Sequence, residues 1–283
     1  MKPHRPRPTL QPRTAALTRI EVLAVIAGVG LLAVLALPAL ARGDDKSRTL
    51  RCLENLRRLT LGWTLFASDH DDRLVPIRHG ADAFYPGSVK PGEQGWAFGW
   101  LDWSTAPANT NLSYLVDERF SAIAVYLDRD PSLFRCPDDD SLSPVQRRGK
   151  WTWRARSYSA NVAVGRGNAE TGPWDRTFLH VERMSDLLIP GAAETIVFME
   201  EHADSINDAA FFPPYPDLFV DLPASHHGRA GTFSFADGHV WIRRWASART
   251  VQPVRFISTG GGPVPSGDPD IAWVRARIPR RTP

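Results

Sequence analysis

The chain has 283 residues, 43% of them apolar, enough for one large core or two modest ones, which disfavours intrinsic disorder and a small disulfide scaffold. Lys and Arg total 34 against 31 Asp and Glu, but Lys2, Arg5, Arg7 and Arg13 all lie in the first 16 residues, which hold no acid. The remainder is close to neutral, so no general basic surface for nucleic acid is expected, and 24 Pro with 21 Gly argue against a compact helical bundle.

Residues 22–41 read VLAVIAGVGLLAVLALPALA, an uncharged run long enough to cross roughly 30 Å of hydrocarbon as a helix. A cleaved secretory signal is the competing reading, since ALPALA imitates a small-x-small cleavage site. The length of the run, Glu21 at its threshold and the polar amphipathic stretch after it favour a retained anchor. The basic leader places the N-terminus in the cytoplasm and sends the rest across.

Residues 44–68, DDKSRTLRCLENLRRLTLGWTLFAS, repeat Leu50, Leu53, Leu56, Thr60, Trp63 and Ala67 at intervals of three and four, the pattern of an amphipathic helix with one buried stripe. The turn-prone Ser68-Asp69-His70-Asp71-Asp72 ends it. Asp69, Asp71 and Asp72 could hold calcium, but the cluster lacks the glycine and distal glutamate of a helix-loop-helix calcium loop. Beyond residue 80 come short apolar runs at 123–127, 195–199, 233–235 and 240–245, and a short helix is expected within 113–127. Ala236-Asp237-Gly238 between the last two runs is a hairpin signal. The expected fold is α+β, a long N-terminal transmembrane helix continuing into an amphipathic helix on an antiparallel sheet. The expected segments are a leader at 1–16, the membrane helix at 17–43, a headgroup at 44–259 and a mobile Gly/Pro-rich tail at 260–283.

Two groups of residues carry a resemblance. Ala15-Ala16-Leu17-Thr18-Arg19-Ile20-Glu21, between a basic leader and a long apolar run, resembles the signal of type IV prepilins and type II secretion pseudopilins. Further on, nine residues separate His227 from Asp237-Gly238, Leu133–Asp138 reads LFRCPD, 157–161 reads SYSAN and Cys52 opens CLENL. These are similar to the His-x9-Asp-Gly group of prepilin-like proteins, and the resemblance runs from residue 16 to about 245. It implies cleavage between Ala16 and Leu17, methylation of Leu17, and pairing of Glu21 with the Leu17 amino terminus of a neighbouring subunit. The implied partners are a prepilin peptidase, other pilin-like subunits and the membrane, with no nucleic acid. The implied location is the inner membrane, single pass, with the headgroup in the periplasm or a surface fibre.

Cys52 and Cys136 are the only cysteines, and an even pair in an exported domain favours a disulfide, worth about 4–5 kcal/mol in the loop-entropy account. Neither has a second cysteine at zinc-ligand spacing, so no metal is expected there. His202, His226, His227 and His239 with Glu200, Glu201 and Asp237 could suggest a metal hydrolase, but no His-Glu-x-x-His pair, nucleophile elbow or phosphate loop occurs. The expected role of His227 and Asp237 is a hydrogen bond across the hairpin that fixes its register, with Gly238 in the turn. Trp96, Trp100 and Trp103 in GWAFGWLDW suit either a core or a surface for glycan or protein. The expectation is a non-enzymatic, cofactor-free pseudopilin-like subunit, with an anchored binding module that uses the Trp-rich surface as the alternative.

Overall fold

A computed structural model describes residues 19–85, 87, 90–167 and 171–281, apart from the side chains of 21, 25 and 28–45. The chain divides into two compact units, Met1–Lys46 and Ser47–Pro283, and the folded body discussed below is the second. Its helices are α1 (Arg19–Asp69, shared with the first unit), α2 (Ala81–Phe84), α3 (Ser113–Val116), α4 (Pro144–Arg148) and α5 (Pro269–Arg275). The strands are β1 (Tyr158–Asn161), β2 (Ile196–Glu200), β3 (Ala210–Phe211), β4 (Leu218–Phe219), β5 (Ala230–Phe235), β6 (Val240–Arg244) and β7 (Gly262–Pro263).

From Cys52 onward, α1 turns Cys52, Leu56, Leu59, Thr60, Trp63 and Ala67 inward, all buried, the three-and-four spacing that puts one stripe on a sheet. Arg51, Glu54 and Arg57 between them stay exposed. The helix stops where Asp71 and Asp72 take φ of 52° and 69° and the amide of Asp72 bonds back to the Ala67 carbonyl at 2.9 Å.

The main sheet has the order β3-β1-β2-β5-β6. β1 pairs antiparallel with β2 but parallel with β3, and β2, β5 and β6 are antiparallel neighbours. Period-two alternation divides the faces. Tyr158, Ala160, Thr232 and Ser234 face α1, where the Thr60 hydroxyl donates to Ser234 Oγ at 2.6 Å. Met199, Phe233 and Phe235 pack on the other side in a cluster with Ile271 and Val274 of α5 and with Ile278. α5 is capped by Asp268, whose side chain accepts from the amides of Asp270 and Ile271. The stretch expected as a mobile tail therefore carries a helix whose apolar side is buried in the second core cluster.

The pilin-like expectation is corrected. No helix of the described residues is long and apolar enough to cross a membrane, and the sheet is mixed rather than antiparallel. The described part of α1 beyond Ser47 alternates exposed charge with a buried stripe, the pattern of a helix covering a protein core rather than one immersed in lipid. The single-pass inner-membrane location, with a cytoplasmic N-terminus and periplasmic headgroup, is corrected on the same ground. The processing positions Ala16 and Leu17 and the side chain of Glu21 lie outside the described residues.

Candidate metal centre

Four segments far apart in sequence bring their chemistry to one point under α1. Cys52 sits on the buried face of α1, and Cys136 follows a 3-10 turn at Pro131–Phe134. Glu200 ends β2, and His227 lies in the turn before β5. Each offers one donor atom, and these atoms all lie within 4.8 Å of one another. Cys52, Cys136 and Glu200 are 0% exposed.

The surroundings orient each donor. His227 Nδ1 lies 2.8 Å from Asp138 Oδ2, so a proton on Nδ1 leaves Nε2 to face Glu200 Oε2 at 3.1 Å and Cys136 Sγ at 3.4 Å. A carboxylate behind an imidazole in this way fixes its tautomer and raises its basicity, as behind metal-bound histidines. Asp138 is itself held by Arg48 Nε at 2.6 Å. The Asp138 amide points at Cys136 Sγ at 3.4 Å, and the Tyr158 hydroxyl lies 3.1 Å from Cys52 Sγ. Glu200 Oε2 accepts from the Thr232 hydroxyl at 3.0 Å, whereas its buried Oε1 meets no hydrogen-bond partner among the described residues. A buried carboxylate oxygen left unpaired is costly.

The four groups set one another's protonation. Burial would lower the His227 pKa, but hydrogen bonds to Cys52 and Glu200 hold it up at about 11. Burial pushes the Cys136 thiol up, reinforced by Cys52 and the Glu200 charge. Burial also works to raise Cys52 and Glu200, but hydrogen bonds from Cys136 and His227 to Cys52, and from His227 to Glu200, bring both below their ordinary values. A dication here would displace the protons on His227 Nε2 and Cys136, leaving thiolates, carboxylate and neutral imidazole as donors.

The disulfide expectation is corrected: both cysteines are free. Cys52 Sγ also meets the Tyr158 and Thr232 hydroxyls at 3.1 and 3.3 Å, and Cys136 Sγ meets His227 Nε2 at 3.4 Å. The expected His227–Asp237 bond is replaced as well. Asp237 Oδ1 takes the His239 amide at 3.1 Å and ring nitrogen at 2.6 Å, and Gly238 supplies the turn at φ 90°. Asp69, Asp71 and Asp72 have separate partners. Asp69 accepts from Tyr126, the Asp71 carbonyl from Arg183, and Asp72 from the Ser185 amide. Of the clustered tryptophans, Trp96 and Trp103 are buried, and Trp96 Nε1 donates to the Ala209 carbonyl at 2.7 Å.

Sequence reasoning named Glu200 and His227 within a diffuse set and paired the cysteines with each other. It missed that Asp138, one residue past the Cys-Pro step, orients His227. The usable signal was Cys136-Pro137-Asp138 itself, a turn that supplies a sulfur and a carboxylate two residues apart.

No known family, curated protein or solved structure matches the chain. Together with the fold, this overturns the assignment to prepilin-like proteins.

Proposed function

We propose that Ser47–Pro283 is a non-enzymatic scaffold domain closed by a structural zinc-class dication held by Cys52, Cys136, Glu200 and His227. The observation that carries this reading is the orphaned Glu200 Oε1 beside three other convergent donors. Two sulfurs, one imidazole nitrogen and one carboxylate oxygen make a donor set suited to Zn²⁺. Tetrahedral Zn–S bonds of about 2.3 Å place sulfurs about 3.8 Å apart, so the shell needs only a small contraction.

Four protein donors leave no coordination position for water or substrate, which favours a staple over a hydrolase. The ion would tie α1 to the Cys-Pro loop, to the end of β2 and to the turn before β5. The test is thermal unfolding of the full-length chain with zinc and after chelation. A site at a hundred times its Kd adds about 2.7 kcal/mol, so chelation should lower Tm by several degrees. Cys136→Ser should melt near the chelated protein and ignore added zinc. Equal Tm values for the zinc-loaded and chelated protein would overturn the proposal.

A further inference from the structure

β6 is the last strand of the main sheet, and its register with β5 runs unbroken from Val240 to Arg244. The amide of Phe235 bonds the His239 carbonyl at 3.0 Å, and that of Trp245 bonds the Arg229 carbonyl at 2.9 Å. In an antiparallel ladder hydrogen-bonded positions alternate, so His239, Trp241, Arg243 and Trp245 point their backbone groups toward β5. Val240, Ile242 and Arg244 point theirs away from the sheet. Among the described residues no backbone partner meets those outward groups. The strand carries no proline and no bulge of the kind that blunts an edge.

Both faces of this edge are open. On the α1 side a groove of about 670 Å³ is lined by Arg57, Arg58, Leu61 and Val240 among others, and Leu61 is 54% exposed. On the α5 side a cavity of about 220 Å³ lies among Trp241, Arg243, Trp273 and Arg277, and Trp241 is 55% exposed.

We propose that β6 pairs antiparallel with β6 of a second copy of this chain about a two-fold axis at Ile242, joining the two sheets edge to edge. The sequence Val-Trp-Ile-Arg-Arg is complementary to itself in that register. Ile242 meets the partner's Ile242 on the α1 face, and Val240 lies opposite the aliphatic stem of the partner's Arg244. On the α5 face Trp241 lies opposite the partner's Arg243, whose guanidinium sits over its own Trp273 and near Asp270, so its aliphatic stem meets the indole ring, a contact formed twice. No like charges stand directly opposite. The outward N–H and C=O of Val240, Ile242 and Arg244 all find partners in this register alone, because a one-residue slip would oppose inward groups. A two-fold axis normal to the sheet also keeps both α1 helices on one face, bringing their Leu61 grooves toward each other. An acidic extended peptide is the competing occupant, and self-pairing is favoured because every position of the strand then has a suitable opposite.

The test combines sedimentation velocity of the full-length chain with residue-resolved hydrogen exchange across a dilution series. A dimer is expected, with the Val240, Ile242 and Arg244 amides protected at high concentration and unprotected on dilution. The Trp241 and Arg243 amides should stay protected throughout. Ile242→Pro removes one outward donor without touching the β5 ladder, and Trp241→Lys places two cations opposite each other. Each should weaken association at least about tenfold while circular dichroism is unchanged. A monomer at all concentrations overturns the proposal, as does a dimer whose three outward amides exchange freely. Should a variant fail to fold, exchange in the unmodified chain still decides.

Discussion

Asp138→Ala tests the arrangement behind the metal donors without touching a donor. The Asp138 carboxylate holds His227 Nδ1 at 2.8 Å and is gripped by Arg48 at 2.6 Å. Truncation removes the group that fixes the ring, while the residue's own amide still points at Cys136 Sγ. Loss of an outer-shell partner costs about 10–100-fold in metal affinity, or about 1.4–2.7 kcal/mol. Thr49 Oγ1 lies 3.1 Å from the same nitrogen and can still accept its proton, which places the expected loss near tenfold. Competition of the full-length chain against a chromophoric zinc chelator reads this directly. Arg48→Met is the control: it breaks a half-exposed ion pair of little intrinsic worth but leaves Asp138 on His227, and affinity should change by less than about threefold. Unchanged affinity in Asp138→Ala, or an equal loss in both variants, would refute the orienting role of Asp138.

Two further perturbations probe the body around the centre. Burial, with Asp208 adding repulsion, pushes the Asp221 carboxyl up to about 8, although it accepts the Phe212 amide at 2.6 Å. The folded state therefore holds this proton more tightly than the unfolded chain. Its contribution is complete below about pH 4 and is lost as pH rises toward 8. Asp221→Asn keeps an acceptor for the amide and should gain about 1–2 kcal/mol on the unmodified chain between pH 5 and 9, a magnitude reduced because the residue is half-buried. Urea unfolding at the two pH values checks this, and a pH-independent difference would contradict it. Gly165→Ala would set a Cβ 2.2 Å from the Val75 carbonyl oxygen at φ +141°. A loss of about 3 kcal/mol or more is expected, and a loss under 1 kcal/mol in the same assay would show that the loop can move aside.

The elements with a clear local period were legible. The stripe within 44–68 names Leu56, Thr60, Trp63 and Ala67, all buried on α1, though Leu50 of the same stripe is 56% exposed. The runs flanking Asp237-Gly238 are β5 and β6, and the run at 195–199 is β2 shifted by one residue. The 113–127 helix is only α3 and a 3-10 turn, because such short segments are shaped by tertiary contacts rather than by their own periodicity. α5 was hidden for a related reason: seven residues are too few for a hydrophobic period, and its Asp268 cap lies among Pro and Gly that read as a tail. The candidate metal centre was least legible. Its donors sit at 52, 136, 200 and 227, so no local spacing joins them, and Glu200 closes an apolar strand where a buried carboxylate is unexpected.

The most direct measurement is the metal content of the full-length chain, purified without chelator and analysed by native and elemental mass spectrometry. The account predicts one zinc-class dication per chain, lost in His227→Ala and Cys52→Ser and retained in Asp237→Ala, whose side chain bonds to His239 within its own hairpin turn. A metal-free chain after growth with added zinc, or full occupancy in His227→Ala, would contradict it.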